Sequence, residues 1–236
     1  MIKTNERYLQ LNNGEILKIG EVKKIDSGEL TFQRFFYGYD IASRTSIINH
    51  LIQKNNLKSY LEIGVRDGKN YNKILAPYKV GVDPYPRKLI NGLRKVTSDD
   101  FFKNNNEIFD IIFIDGLHLD TQVDKDIKNS LSYLSKDGYI ILHDCNPPTE
   151  FHQRENYEVN GSYPTWNGTT WKSYAKIRMT NENLSLYCIN CDWGVGIIRR
   201  GKAKLFPLNK NLEFEFLENN RKELLNLISV KIFLEF

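Results

Sequence analysis

A short apolar run that ends in an acid and two glycines constrains this chain more than any other feature. Leu57 to Ile63 reads as a buried strand with Glu62 at its mouth, and the chain then turns through Gly64 and Gly68 toward a predicted short helix at Asn70 to Leu75. Gly64 can take backbone angles closed to other residues, and Gly68 leaves room for a ligand to approach the main chain. Helix N-termini and turn amides facing such a crevice favour negatively charged groups. A second apolar strand, Val80 to Val82, ends in Asp83. That acid lies about twenty residues past the glycines, where nucleotide folds place the carboxylate that holds a ribose diol.

The pattern Glu62-x-Gly64-x-x-x-Gly68 followed by Asp83 resembles the first motif and the ribose-binding acid of the class I S-adenosylmethionine-dependent methyltransferases. A nicotinamide-binding fold prefers G-x-G-x-x-G, whose extra glycine lets a pyrophosphate sit against the backbone. That glycine is absent here, as suits a ligand without phosphates. The resemblance implies an α/β, Rossmann-like class I methyltransferase fold: a mostly parallel seven-stranded sheet, helices on both faces and an antiparallel closing strand. It implies that Glu62, Gly64, Gly68 and Asp83 bind S-adenosylmethionine. In that family a polar pair after the third strand touches the adenine ring, which makes Ser98 and Asp99 candidates; either also suits a helix N-cap.

The alternation of strand and helix from Glu62 onward is the independent sign of a parallel sheet covered on both faces. Val96 and Thr97 read as the third strand. Phe109 to Ile114 is apolar on both faces and therefore central, and ends in Asp115. Val123, Ile127, Leu131 and Leu134 form a helical stripe, with Asp124, Lys125, Asp126 and Lys128 on a face expected to be solvated. Lys136-Asp137-Gly138 reads as a helix stop with the glycine as left-handed cap. Tyr139 to Leu142 is the fifth strand and ends in His143-Asp144. Leu184 to Cys188 and Trp193 to Ile198 read as a closing pair of strands, and Leu212 to Leu227 as a helical tail. The expected organisation is an aromatic-rich leader at 1–45 (Phe32, Phe35, Phe36, Tyr37, Tyr39), a cofactor-binding domain at 46–204 with a lid loop at 145–169, and a C-terminal tail at 205–236.

In an open α/β sheet, ligands bind beyond the carboxyl ends of the strands. Glu62, Asp83, Ser98, Asp99, Asp115, His118, His143 and Asp144 all fall at or just after such ends, whereas His50 and His152 have no comparable context. Phe113-Ile-Asp115-Gly-Leu-His118 with Leu142-His143-Asp144 resembles the macrocin O-methyltransferase and cephalosporin hydroxylase-like branch of the family, and more broadly the magnesium-dependent small-molecule O-methyltransferases. The resemblance implies that Asp115 and Asp144 hold Mg2+ or another divalent cation, as hard oxygen ligands do. It also implies that Asp115 and His118 border the methionine end of the cofactor. His143 stands where relatives often have an acid, and Asn146 comes one place later than an amide ligand would. A hydroxyl acceptor must lose its proton, either to a histidine, His118 or His143 with Asp144 orienting it, or with help from a cation. Both routes are open, and His118, His143 and Asp144 are the catalytic candidates. Asn146-Pro147-Pro148-Thr149 resembles the N-P-P-aromatic motif of amino-methylating enzymes, but it follows the fifth strand and lacks the aromatic.

The lid offers Tyr157, Tyr163, Trp166 and Trp171 as flat surfaces with polar neighbours such as Asn160 and Asn167, which suits a sugar. Arg154 or Lys172 would suit the phosphates of a sugar nucleotide. The expected reaction is O-methylation of a sugar or sugar-linked intermediate of surface polysaccharide or natural-product biosynthesis. A hydroxylase-like activity or cofactor binding without turnover is the alternative, and an N-methyltransferase ranks below both. Net charge is +4 over 236 residues with no long basic run, so nucleic acid is not implied. No stretch reaches membrane-span length, and Met1 to Arg7 is no signal peptide. Three cysteines cannot all pair within one chain, and the reading is reduced thiols in a cytoplasmic protein. The leader covers the active site or forms a homodimer contact; both remain open at this point.

Overall fold

The most apolar run of the sequence becomes the middle of an eight-stranded sheet. The computed structural model describes residues 37–236, together with the backbone of β1 (Arg7–Gln10) and β2 (Ile16–Ile19), which pair antiparallel as a separate ribbon. Phe32, Phe35 and Phe36 of the leader lie outside the described residues. From residue 44 the chain runs through α1 (Arg44–Asn55), β3 (Ser59–Ile63), a 3-10 turn (Tyr71–Lys73), β4 (Tyr78–Val82), β5 (Leu93–Arg94), α2 (Ser98–Asn104) and β6 (Phe109–Ile114). It continues through α3 (Asp120–Ser132), β7 (Leu134–Leu142), α4 (Thr170–Thr180), β8 (Leu184–Ile189), β9 (Val195–Arg200), α5 (Phe214–Leu224), β10 (Leu227–Ile228) and α6 (Val230–Glu235). Across the sheet the order is β5-β4-β3-β6-β7-β9-β8-β10, and only β9 runs against its neighbours.

Each face of this sheet carries its own core. Along β6, Ile111 and Phe113 join Ile47, Ile48 and Leu51 of α1, while Ile112 and Ile114 join Val123 and Ile127 of α3 and Trp171 of α4. Side chains alternate between faces along a strand. An unbroken apolar run therefore feeds both cores at once, as a strand covered on both sides must. Removing one such side chain, Ile112→Ala for instance, costs about 2–5 kcal/mol. The strand order reverses between β3 and β6, which makes their tips the switch point where open α/β sheets bind ligands.

Several local expectations differ from the structure. The chain after the glycines forms only a 3-10 turn, too short to carry a helix dipole worth the name. The third strand lies at Leu93–Arg94, before Val96 and Thr97, and Thr97 rather than Ser98 or Asp99 caps α2, its Oγ1 accepting from the Asp100 amide. Leu134 and the Lys136-Asp137-Gly138 segment belong to β7, not to the end of a helix. The register slips there, with Phe109 opposite Leu134 but Ile111 opposite Tyr139. Gly138 is needed because a Cβ would lie 2.8 Å from the Asp110 carbonyl, not because of a left-handed φ. An eighth strand comes from the tail, where β10 adds to the free edge of β8. Among the described residues no helix is long and apolar enough to cross a membrane. Cys145, Cys188 and Cys191 are buried and free.

The charged face of α3 is not uniformly solvated either. Asp126 is 1% exposed, wedged between α3 and α2. The Gln122 amide reaches Ser98 Oγ (3.2 Å), Asp99 Oδ1 (3.0 Å) and Asp126 Oδ1 (3.1 Å), so one side chain ties the two helices. Burial pushes the Asp126 carboxyl up to about 6, against the lowering effect of Ser98 and Gln122. A folded-state pKa above the ordinary 3.8 means that the folded protein holds the proton more tightly than the unfolded chain. Stability contributed by protonated Asp126 is complete below about pH 4 and is lost as pH rises through about 6. Asp126→Asn should therefore be more stable than the parent by roughly 1–3 kcal/mol at pH 7.5 and equal to it near pH 4. Urea melts at the two pH values check this, and an offset independent of pH would refute it.

Candidate active site at the strand tips

Gly64 is the first fixed point of the site. It follows β3 with φ +90, and a Cβ there would sit 2.1 Å from the Asp115 carbonyl oxygen. The turn after β3 and the turn after β6 thus press backbone to backbone, with Gly64 N–H donating to Val82 O and Asp115 N–H to Ile63 O. Gly68, at φ +77, has Ile90 Cδ1 where a side chain would begin. Asp83 caps the neighbouring strand: its Oδ2 accepts from the Arg66 amide (2.7 Å) and its Oδ1 from the Tyr85 amide (2.7 Å). Each carboxylate oxygen keeps a lone pair for a further donor, such as a ribose hydroxyl. Glu62 is buried, with Oε2 accepting from Tyr60 Oη and Asn70 Nδ2, and burial pushes its pKa up to about 8 despite those bonds.

One turn away stands a tight cluster of acids and bases. His118 spans two carboxylates, with Nδ1 2.9 Å from Asp144 Oδ2 and Nε2 3.3 Å from Asp115 Oδ1. His143 Nδ1 lies 3.1 Å from Asp115 Oδ1 and 3.0 Å from Asp144 Oδ2. Two residues that sequence reasoning missed complete the cluster. Arg44, the first residue of α1, grips Asp192 through Nε (2.9 Å), Nη2 (3.0 Å) and its own backbone amide (2.7 Å), and extends Nη1 to Asp115 Oδ2 (2.8 Å). Three carboxylates thus face one guanidinium and two imidazoles. Burial alone would lower the His118 pKa, but Asp144 and Asp115 raise it to about 9; His143 is driven upward by the same two acids against burial and Arg44. Asp115 and Asp144 stay below the usual carboxylate range, because His143 and the other cations outweigh the burial that raises them.

The backbone is strained where it delivers these groups. Asp144 has φ +60, and the turn between β8 and β9 takes left-handed φ at Asp192, Trp193 and Gly194 in succession. Such non-glycine conformations cost of order 1–3 kcal/mol each and persist only where the surroundings fix them. Here the amides of Cys145 and Asn146 donate to Gly194 O and Trp193 O. Asn146 is turned away from the site toward Arg221 Nη1 and Asn190. Ser98 and Asp99 sit at the α2–α3 junction, engaged by Gln122, with Asp99 also paired to Lys125. One oxygen each from Asp115 and Asp144 and a nitrogen of His118 lie within 4.8 Å of one another, the span of a single ion's ligand shell.

The fold has counterparts in known proteins. Residues 61–145 match a family model described as a methyltransferase domain. The fold is the α/β, Rossmann-like fold of the class I methyltransferases. The fold is similar to that of the SAH-bound Podospora anserina methyltransferase PaMTH1, at 18% identity and a TM-score of 0.52 over 69% of this chain and 80% of that one. It is also similar to the cofactor-bound protein Rv0187 from MTB, at 11% and 0.53 over 77% and 100% of the two chains. An O-methyltransferase from Streptomyces achromogenes, TomG, involved in tomaymycin synthesis and solved with SAM, aligns at 12% and 0.50 over 76% and 91%. A sequence comparison with curated proteins found no match.

The loop at 145–169 is ordered from within. Arg154 Nη1 donates to Phe151 O and Thr165 O, and Nη2 to Tyr157 O and Pro164 O. The side chain expected to be available for phosphate is therefore spent on four carbonyls. Trp171 is fully buried, its Nε1 donating to Gln153, and is no open platform. Trp166 stacks flat on His118 (4.9 Å, 8°), Tyr157 lies 5.7 Å beyond it, and Tyr163 stacks on Tyr157 (5.2 Å, 20°). An aromatic shelf thus runs outward from His118, its two tyrosines more than half exposed. Lid and site also meet at Gly168, where a Cβ would lie 2.1 Å from the His118 carbonyl. Arg154→Ala should loosen this loop, because four carbonyls, two of them half-buried, lose their shared donor. Limited proteolysis within 151–166 should quicken by roughly tenfold or more, and Arg154→Lys, which lacks the fork, should not restore the parent rate. Equal cleavage of parent and variant would remove the role.

Proposed function

We propose that this enzyme transfers the methyl group of S-adenosylmethionine to a hydroxyl of a sugar or sugar-linked intermediate, of the kind used in surface-polysaccharide or natural-product assembly, in the manner of the macrocin O-methyltransferase branch. The observation that carries the reading is His118, held between two carboxylates beside the glycine turn and flanked by the aromatic shelf. Glu62, Gly64, Gly68 and Asp83 would hold the nucleoside. The residues present also suit a hard cation, since the inner oxygens of Asp115 and Asp144 converge and carboxylate oxygen is the donor such ions take. When bound, S-adenosylmethionine supplies an activated methyl carbon, and a divalent cation would supply acidity to the acceptor hydroxyl.

The chain's own residues do the rest. Asp144 and Asp115 lie against the two ring nitrogens of His118 and raise its pKa to about 9, so Nε2 takes the acceptor's proton from the fraction of rings that has lost its own, a fraction that grows as pH rises toward 9. His143, 4% exposed in its side chain, is walled behind the acids and positions them rather than meeting a substrate. Trp166 keeps water from one face of His118, and Tyr157 and Tyr163 offer ring faces on which a sugar's C–H surface packs. Methyl transfer needs mainly alignment and dryness; placement alone supplies roughly 7–11 kcal/mol of barrier reduction.

Asp83→Ala should weaken S-adenosylmethionine binding by about 1.5–3 kcal/mol, the scale of a charged hydrogen bond. Calorimetry reading unchanged affinity would end the ribose assignment. Asp144→Ala should abolish turnover with cofactor affinity largely retained, and a chelator should silence the parent enzyme until Mg2+ or Mn2+ is returned. Full activity in chelator removes the cation and leaves His118 with its two acids as the whole apparatus. Product mass identifies the reaction, since a methyl gained supports it and an oxygen gained would replace it with a hydroxylation.

A further inference from the structure

The aromatic shelf that leads away from His118 ends in a small hairpin. Val159 pairs with Ser162 across Asn160 and Gly161, both at left-handed φ (+50 and +75), the two-residue turn that an Asn-Gly pair favours. The next residues outward along its two arms are Glu158 and Tyr163, and the Glu158 carboxylate accepts from the Tyr163 hydroxyl. Tyr163 in turn stacks on Tyr157, so a carboxylate stands beside two exposed rings. Charge around this tip is one-sided. Between residues 145 and 169 the chain carries Glu150, Glu155 and Glu158, all exposed, against a single arginine. That arginine, Arg154, is turned inward onto four carbonyls, and burial holds the His152 ring neutral by drawing its pKa down to about 3. Lys172 Nζ lies 6.0 Å from the ring of Trp171, which is outside the shelf. The tip is thus acidic on a chain whose net charge is +4. At the root of the shelf Asn167 is fully buried, with Nδ2 donating to Asp144 Oδ1, and its own Oδ1 has no donor among the described residues. A buried acceptor in that state is one that a ligand N–H or O–H satisfies.

We infer that the acceptor is a glycoside bearing a protonated amine, an amino sugar that rests on the Tyr157–Tyr163 end of the shelf with Glu158 beside it, while the ring that presents the reacting hydroxyl lies toward Trp166 and His118. The inference rests on the sugar-hydroxyl reading of the site and narrows its substrate class. An ammonium group is attracted to the face of an aromatic ring, and a neighbouring carboxylate adds its own attraction. A neutral sugar packs on the same rings without using Glu158. An anionic one, such as a sugar nucleotide, meets three glutamates and no outward-facing cation of the loop, and is repelled. Selectivity comes from the repulsion as much as from the attraction. The rings follow one another at 5.7 and 5.2 Å from Trp166 through Tyr157 to Tyr163, a spacing that seats more than one sugar ring along the shelf. Amine and reacting hydroxyl therefore belong to different rings of the acceptor.

The test is calorimetric titration of the full chain, saturated with S-adenosylhomocysteine, at a pH where amines are protonated. Three probes are compared: the β-1,4-linked disaccharide of glucosamine, cellobiose, which has a hydroxyl in place of each amine, and UDP-glucose. The parent should bind the amine disaccharide roughly tenfold more tightly than cellobiose and UDP-glucose least of all, and added salt should shrink the difference. Glu158→Gln should weaken the amine disaccharide about two- to fivefold and leave cellobiose unchanged; Glu158→Lys should abolish the preference. Glu158 is exposed, and unchanged uptake of S-adenosylhomocysteine shows that each variant is folded. A parent that binds cellobiose or UDP-glucose as tightly as the amine disaccharide, or a preference that survives Glu158→Lys, overturns the inference and leaves the sugar reading standing. A parent that takes up S-adenosylhomocysteine but none of the three probes overturns both.

Discussion

Backbone contact between two strand tips governs this site. Gly64 and the Asp115 carbonyl are so close that only a hydrogen fits between them. Because β3 and β6 are adjacent where the strand order reverses, this contact brings the glycine turn after β3 against the first acid of the Asp115, His118 and Asp144 cluster. The two turns therefore share a wall one peptide thick. The apolar alternation along β6 holds that wall, since Ile111 and Phe113 anchor it to one core and Ile112 and Ile114 to the other.

Charge balance accounts for much of the remaining design. Three acids packed together, Asp144 and Asp192 buried and Asp115 half-buried, would repel one another without Arg44, His118 and His143 among them. Burying a charge without a partner costs several kcal/mol, so these groups stand or fall together. The positive φ values at Asp144, Asp192 and Trp193 fit the same picture. Strain is tolerated where many bonds over-determine the geometry, and it places carboxylates at angles that a relaxed strand end would not reach.

Much of this was legible in the residues. Apolar runs closed by acids marked β3, β4, β6 and β7, and the glycine turn with Asp83 named the fold. The clustering of Asp115, His118, His143 and Asp144 followed from their places at strand ends, because a parallel sheet brings such ends together. Arg44 was missed because its partners are 71 and 148 residues away. A signal was nonetheless present: the Ser43–Ser46 capping box fixes the helix start, and an arginine in a first turn with no acid opposes the helix dipole. Asp192 sat in an ordinary-looking hairpin turn whose left-handed backbone no local pattern announces. Lys136-Asp137-Gly138 misled because a glycine between charged residues looks alike in a bulge and in a helix cap. Arg154 misled because an arginine in a loop cannot show from sequence whether it serves a ligand or the loop itself.

The short β10 contributed by the tail has an effect beyond completing the sheet. It covers part of β8, a six-residue strand whose outer rim would otherwise present unpaired amides and carbonyls to solvent. With the opposite border formed by the two-residue β5, the sheet presents little ladder on which another molecule's strand could template. The tail thus shortens the open border of the sheet by the two β8 residues it pairs, Cys188 and Ile189.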